Sequence, residues 1–263
     1  MSAVTTVEIA TKTPVLEVRD LAREFGGVHA VDGATFEVPP GRITGLIGPN
    51  GAGKSTVVGL ISGMVKPSSG QIMFAGRDIA GLAPYRVARL GITRTFQLSS
   101  EFGKLTVLEN LLVAAPGQRG ESFVGALLGP RGWREQEQAL VGEARALLRR
   151  FEMSDKEEEY AGNLSGGQKR LVEIMRGLIA KPKLLLLDEP LAGVNPRLGE
   201  RILGYLEELR DEGLTMLMVE HDLVAVGRVC DPVAVMAQGK VLAQGPLEEL
   251  RANAEVRNAY LIG

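Results

Sequence analysis

Gly48-Pro49-Asn50-Gly51-Ala52-Gly53-Lys54-Ser55-Thr56 decides the fold. The stretch satisfies G-x-x-x-x-G-K-[ST] at every position. Its flanks agree, because the apolar run Ile43–Ile47 reads as a strand and residues 56–62 as a helix. The spacing has a physical reason. Glycines let the backbone wrap round phosphates with its N–H groups pointing inward, and the helix N-terminus adds positive potential. In such a cradle Lys54 holds the β- and γ-phosphates and the Ser55 hydroxyl is placed to ligate Mg²⁺. By itself the motif allows kinases, GTPases and many ATPases.

Outward from the cradle, strands and helices alternate. Residues 184–187 are four leucines between Lys183 and Asp188, too short for a helix and best read as a strand buried on both faces. Residues 16–18, 35–38, 72–74, 92–96 and 214–219 are further strands. Residues 233–236 and 241–244, flanking Gly239-Lys240, read as a hairpin. Leu171, Ile174, Met175, Leu178 and Ile179 recur at helical spacing until Pro182, and Leu198, Ile202, Tyr205, Leu206 and Leu209 do so until Gly213, a C-terminal cap. Such alternation implies an α/β fold with a mainly parallel sheet.

The middle of the chain differs. Thr106 and Glu109 have the spacing of a capping box for a helix over 105–115, and Leu140, Ala144, Leu147, Leu148 and Phe151 form a second apolar stripe. Between them 116–133 is rich in glycine and proline and reads as an irregular insertion. The expected division is an N-terminal extension at 1–13, a core in two parts at 14–98 and 164–245, an inserted helical lobe at 99–163 and a C-terminal helical segment at 246–263.

Composition removes several function classes. The 263 residues are 45% hydrophobic and 24% charged, the balance of a folded globular protein. Thirty lysines and arginines against 32 aspartates and glutamates give a net charge of −2, without the basic excess expected of a nucleic-acid binder. One cysteine, Cys230, excludes an internal disulfide framework; with only two histidines a zinc site is not expected either. Residues 1–13 lack the pattern of a secretory signal, and no apolar run reaches the ~18–20 residues that span a bilayer.

Two further motifs narrow the chemistry. Asp188 at the end of a strand beside the cradle can hold Mg²⁺, and Glu189 can orient and polarise the water attacking a γ-phosphate. Leu164-Ser165-Gly166-Gly167-Gln168 precedes a helix read from Lys169. Ser165 is a good N-cap, yet two glycines in a first turn cost about 1 kcal/mol each relative to alanine. That cost points to something approaching the bare amides closely, a second anion site.

A P-loop, Leu-Ser-Gly-Gly-Gln, a strand ending Asp-Glu-Pro and a later strand ending at His221 together resemble the ATP-binding cassette (ABC) ATPases across about 15–245. The resemblance implies a P-loop NTPase cassette with a mainly parallel core sheet, an antiparallel β subdomain and an inserted helical subdomain. It implies ATP hydrolysis with Mg²⁺, Glu189 as base, Gln97 as the glutamine sensing Mg²⁺ and γ-phosphate, and His221 as the switch histidine. It also implies that Phe25 stacks on adenine, and that Ser165, Gly166, Gly167 and Gln168 of one chain meet the nucleotide on Lys54 of a second. Ala192-Gly193-Val194-Asn195 lies where many cassettes carry aspartate, so Asn195 departs from the pattern.

Glu24-Phe25-Gly26-Gly27, residues 90–97, Ala192 to Pro196 and the ending Ala259-Tyr260-Leu261 are similar to the ATPases of bacterial branched-chain amino acid importers. That branch implies integral-membrane permease partners, a second ATPase subunit, an indirect solute-binding protein, no nucleic acid, and a peripheral position on the cytoplasmic face of the inner membrane. Residues 98–106, with Leu98, Phe102 and Leu105, are expected to receive a permease helix. The alternatives are the ATPase of a lipopolysaccharide-type exporter, a soluble cassette acting on nucleic acid or ribosomes, a P-loop kinase, which has no use for Leu-Ser-Gly-Gly-Gln, and a non-enzymatic nucleotide-gated interaction module, which an intact Glu189 and His221 discourage.

Overall fold

The computed structural model describes residues 13–95, 102–116 and 130–261. It divides into two compact units. One comprises 1–94, 183–192 and 203–263, the other 95–182 and 193–202.

The first unit holds two sheets. Strands β1 (Leu16–Phe25) and β2 (Val28–Val38) form an antiparallel hairpin whose two-residue turn, Gly26-Gly27, has φ of 55° and 86°. Both central residues of a type I′ turn need positive φ, which glycine adopts without penalty. Strands β4 (Ser69–Phe74) and β5 (Arg77–Asp78) extend this sheet in the order β2-β1-β4-β5. The second sheet is assembled round β3 (Ile43–Ile47), all five residues of which are buried. Strand β3 lies parallel between β8 (Thr215–Val219) and β9 (Val233–Ala237), and the order is β10-β9-β3-β8-β7-β6. Strands β6 (Ile92–Arg94) and β7 (Leu184–Asp188) are parallel to this set; only β10 (Lys240–Gly245), the second arm of the expected hairpin, runs antiparallel.

One core joins these layers. Leu16, Val18 and Phe36 of the antiparallel sheet, Leu46, Leu186, Leu217 and Ala234 of the parallel sheet, and Val57, Val58 and Ile61 of helix α1 (Lys54–Ile61) form a single buried cluster. Each of these side chains larger than alanine contributes about 1.5–3 kcal/mol by leaving water. The consequence for the site is positional: β3 and β7 end next to residues that carry the phosphate and acid motifs. Helix α2 (Pro84–Leu90) leads into β6 through Gly91, whose φ of 104° ends the helix.

The second unit has its own apolar interior. Val107 and Leu111 of α3 (Val107–Ala114), Ala144 and Leu148 of α4 (Pro130–Arg150), and Leu171, Ile174 and Met175 of α5 (Gly166–Ile179) are buried. Several boundaries differ from expectation: the helix expected over 105–115 is Val107–Ala114 with Thr106 as its cap, and the strands expected at 16–18, 35–38 and 92–96 are Leu16–Phe25, Val28–Val38 and Ile92–Arg94. Helix α4 begins at Pro130, inside the stretch read as irregular; proline suits a first helical turn, where its missing N–H has no acceptor to lose. Helix α5 begins at Gly166 rather than Lys169, because Gln168 takes part in the cap instead of lying before the helix.

The chain continues through α6 (Pro196–Asp211), ended by Gly213 at φ 95°, α7 (Leu223–Val229), α8 (Leu247–Ala252) and α9 (Ala254–Leu261). Cys230 is buried beside Gly45 of β3, as filler. No described helix is long and apolar enough to cross a membrane.

Candidate active site

The loop from β3 to α1 is built for close backbone approach. A Cβ on Gly48 would lie 1.9 Å from the Met236 carbonyl oxygen, and one on Gly53 would lie 2.3 Å from that of Ala30. Both positions therefore accept only glycine. Gly51, at φ 79°, faces open space, so its need is conformational. Lys54 is only 7% exposed, and its Nζ donates to the carbonyls of Gly48 (2.7 Å) and Pro49 (2.9 Å). Burial pushes its ammonium below the usual lysine range, while the nearby carboxylates of Glu189 and Asp188 act in the opposite direction. A buried ammonium is suited to phosphate oxygens, whereas the two carboxylates beside it are suited to a cation. Ser55 and Thr56 follow in the first turn of α1.

Strand β7 delivers the acids. Asp188, its last residue, accepts from the Arg94 guanidinium at 2.7 Å through Oδ2, which leaves Oδ1 without a hydrogen bond among the described residues. Glu189 follows with φ 49°, a left-handed backbone that costs a non-glycine residue on the order of 1–3 kcal/mol. The turn is tied down: Glu189 N–H donates to the Val219 carbonyl (2.9 Å) and Ala192 N–H to the Glu189 carbonyl (3.1 Å). Beyond β8, the Glu220 side chain is only 1% exposed; its Oε1 accepts from the Leu191 N–H (2.9 Å) and its Oε2 from the His221 N–H (3.1 Å). The His221 imidazole is 66% exposed, with its Nδ1 3.7 Å from Glu220 Oε2. Phe25, at the tip of the first hairpin, is 45% exposed with the Arg23 guanidinium 4.4 Å over its ring.

Serine and glutamine of the Leu-Ser-Gly-Gly-Gln stretch form a capping box. Gln168 N–H donates to Ser165 Oγ (3.3 Å) and Ser165 N–H to Gln168 Oε1 (2.9 Å). The two glycines differ. A Cβ on Gly167 would meet Leu198 Cδ2 at 2.4 Å, whereas at Gly166 only the Gly193 oxygen lies within 4 Å, at 3.9 Å. Space in front of the backbone thus remains at Gly166, whereas Gly167 has an internal reason in Leu198. Asn195, the departure from the aspartate pattern, caps α6 by accepting from the Leu198 N–H at 3.0 Å. With Arg197, Leu198, Arg201 and Glu152 these residues border an open cleft of about 330 Å³.

Residues 31–192 match the ABC transporter family. The chain belongs to that family and is an ATPase. This cassette is 39% identical over 247 residues to the probable branched-chain amino acid transport ATP-binding protein LivG of Archaeoglobus fulgidus, covering 94% of this chain and 95% of that protein. It is 38% identical to the high-affinity branched-chain amino acid transport ATP-binding protein LivG of Escherichia coli K12, over 94% of this chain and 98% of the relative. A nucleotide-free ATP-binding cassette from an ABC transporter superposes with TM-score 0.81 at 34% identity, over 94% of this chain and 99% of that one. The ADP conformation of MJ1267, an ATP-binding cassette of an ABC transporter, gives TM-score 0.81 and 34% identity over 95% and 99%. The α/β cassette architecture expected from the motifs is the observed one.

Within the cassette's first unit, the structure gathers the P-loop, Asp188 and Glu189, with His221 tied to the Glu189 turn through Glu220. Gln97 and Leu98 lie outside the described residues. Three features escaped sequence reading: the buried Glu220, the Arg94–Asp188 pair, and the left-handed Glu189. A glutamate at a strand end reads as solvated, and nothing local signals its partner 29 residues away.

Proposed function

We propose that this chain is the ATP-hydrolysing subunit of a membrane importer for branched-chain or related amino acids. The observation that carries the solute class is the 37–39% identity over 94% of the chain to ATP-binding proteins of branched-chain amino acid transport. The residues take these roles. Phe25 stacks on adenine. The P-loop, with Gly48, Asn50, Gly51, Gly53, Lys54 and Thr56, holds the phosphates. Glu189 accepts the proton of the attacking water, and His221 and Gln97 contact the γ-phosphate side.

Mg²⁺ fits the donors: the Ser55 hydroxyl and the open Oδ1 of Asp188 are hard oxygens, to which Gln97 adds an amide oxygen. When bound, the ion neutralises charge developing on the phosphates.

Two cassettes pair head to tail, identical or not, so that Ser165, Gly166, Gly167 and Gln168 of each close on the nucleotide held by the other. ATP then drives closure because it binds the paired state more tightly than the open one. Permease subunits supply the membrane-spanning helices, one of which docks along 98–106, where the core part 14–98 passes into the helical lobe 99–163, against Leu98, Phe102 and Leu105. A solute-binding protein acts through the permease. The chain is accordingly peripheral, on the cytoplasmic face.

Isolation of the native complex from membranes tests this. Permeases should co-purify, and the complex reconstituted in vesicles should take up labelled leucine, isoleucine or valine only with ATP present. A Lys54→Ala complex should neither bind a fluorescent ATP analogue nor transport. ATP-dependent movement of another solute class, with no branched-chain uptake, would refute the solute assignment.

A further inference from the structure

We propose that Glu220 is a positioning residue that joins the turn bearing the catalytic base to the histidine facing the γ-phosphate. Both ends lie in the first unit, and the inference rests on Glu189 being the base. One carboxylate, almost wholly withdrawn from water, divides its oxygens between two backbone donors: Oε1 takes the Leu191 N–H and Oε2 the His221 N–H.

The first of these bonds acts on a strained turn. Glu189 at φ 49° keeps its conformation only while its surroundings over-determine it. Its own N–H is bound to β8 through Val219, and its carbonyl to Ala192. The Leu191 bond adds a tether between these two. Without it, the peptide linking Leu191 to the preceding residues is fixed at one side only, and the base is free to relax out of the left-handed region.

The second bond acts on the histidine. Strand β8 ends at Val219, so the His221 backbone has left the ladder and takes its position from Glu220 instead. Its imidazole is exposed, with Nδ1 3.7 Å from Glu220 Oε2, so the carboxylate that holds the His221 backbone also lies beside its ring. Both donors bond to the two oxygens of one planar carboxylate, so their separation is set by that group. A displacement of His221 on contact with the γ-phosphate is passed through one side chain to the turn that carries Glu189.

The test compares Glu220→Gln with the parent chain in steady-state hydrolysis and in amide hydrogen exchange. Glutamine is isosteric, but its NH₂ replaces one acceptor and faces an N–H donor. The expected result is a kcat lower by roughly 10- to 100-fold with KM for ATP within about twofold, together with faster exchange at Leu191 or His221 and unchanged exchange at Met218. A purely structural carboxylate would lower the melting temperature and leave kcat per folded molecule unchanged, and that outcome overturns the proposal. Should Glu220→Gln fail to fold, exchange in the unmodified chain still decides. Both amides must be protected, and exchange of either at the rate of an open loop refutes the tether. Glu189→Gln, measured alongside, separates the two readings. Full turnover in that variant removes the base assignment, whereas its inactivity with normal Glu220→Gln turnover removes only the role of Glu220.

Discussion

A carboxylate acts as a base toward water only if it is aimed at the water and ionised. Glu189 is half-buried, follows the aspartate that ends β7, and is held in a backbone conformation that side chains seldom adopt. Spending conformational strain at one residue is rational where its direction matters. Glu189→Gln keeps the shape and hydrogen-bonding reach but cannot take a proton. Hydrolysis should fall by about 100-fold or more while affinity for a fluorescent ATP analogue is retained. Near-normal phosphate release from that variant contradicts the role. Cys230 supplies a residue-scale prediction of another kind. Burial, with Glu220 contributing, pushes its thiol up to about 12. The unfolded chain ionises this thiol near 8.5, so the folded state binds the extra proton between about pH 8.5 and 12 and loses stability as pH rises through that window, at up to about 1.4 kcal/mol per unit. Cys230→Ala should flatten the fall in urea-measured stability over that range, and the native thiol should resist a disulfide reagent at pH 8 until the chain unfolds. An equal slope in parent and variant denies the shift.

At the scale of elements, α5 shows what the chain makes plain and what it hides. Its apolar periodicity and Ser165 cap are visible locally, because both depend on neighbours within one turn. The same holds for Thr106 and Glu109, whose reciprocal bonds of 3.1 and 2.7 Å are present as expected. The continuous leucines of β7 and the strand–P-loop–helix unit are visible for a related reason: burial on both faces leaves no polar positions. What stayed hidden requires distant partners. Gly167 is needed for Leu198, thirty-one positions on, and Glu220 is needed for Leu191. The contrast between the two glycines is testable. Gly166→Ala fills open space and gains helix propensity, so its melting temperature should match or exceed the parent's. Gly167→Ala must displace Leu198 and should melt below Gly166→Ala. If an opposing nucleotide approaches the α5 N-terminus, Gly166→Ala should still lose ATP-dependent pairing, measured by light scattering in a Glu189→Gln background. Retained pairing there shows that the amides of the first turn are not approached.

At the scale of the whole molecule, the two stretches proposed to meet phosphate lie in two separate compact units: the P-loop with its acids in one, and the capped, glycine-opened start of α5 in the other. If each nucleotide is shared between chains, the two surfaces of one molecule serve different nucleotides, and defects in them must complement. Consider a chain carrying Lys54→Ala mixed with a chain carrying Ser165→Arg, both with Glu189→Gln to prevent turnover. Neither alone can build an intact composite site, since every site in the first lacks the phosphate lysine and every site in the second has arginine where Ser165 should face the phosphates. A mixed pair has one site with both defects and one with neither, the P-loop of the second chain facing Ser165 of the first. ATP should therefore bring the two together as a dimer carrying a single tightly held nucleotide, while either chain alone remains monomeric. If both surfaces of one chain instead served the same nucleotide, mixing would restore nothing, because each molecule would retain its own defect. Sedimentation of the separate and mixed chains, with and without ATP, distinguishes these arrangements, and the absence of mixed dimers at saturating ATP would rule out sharing between chains.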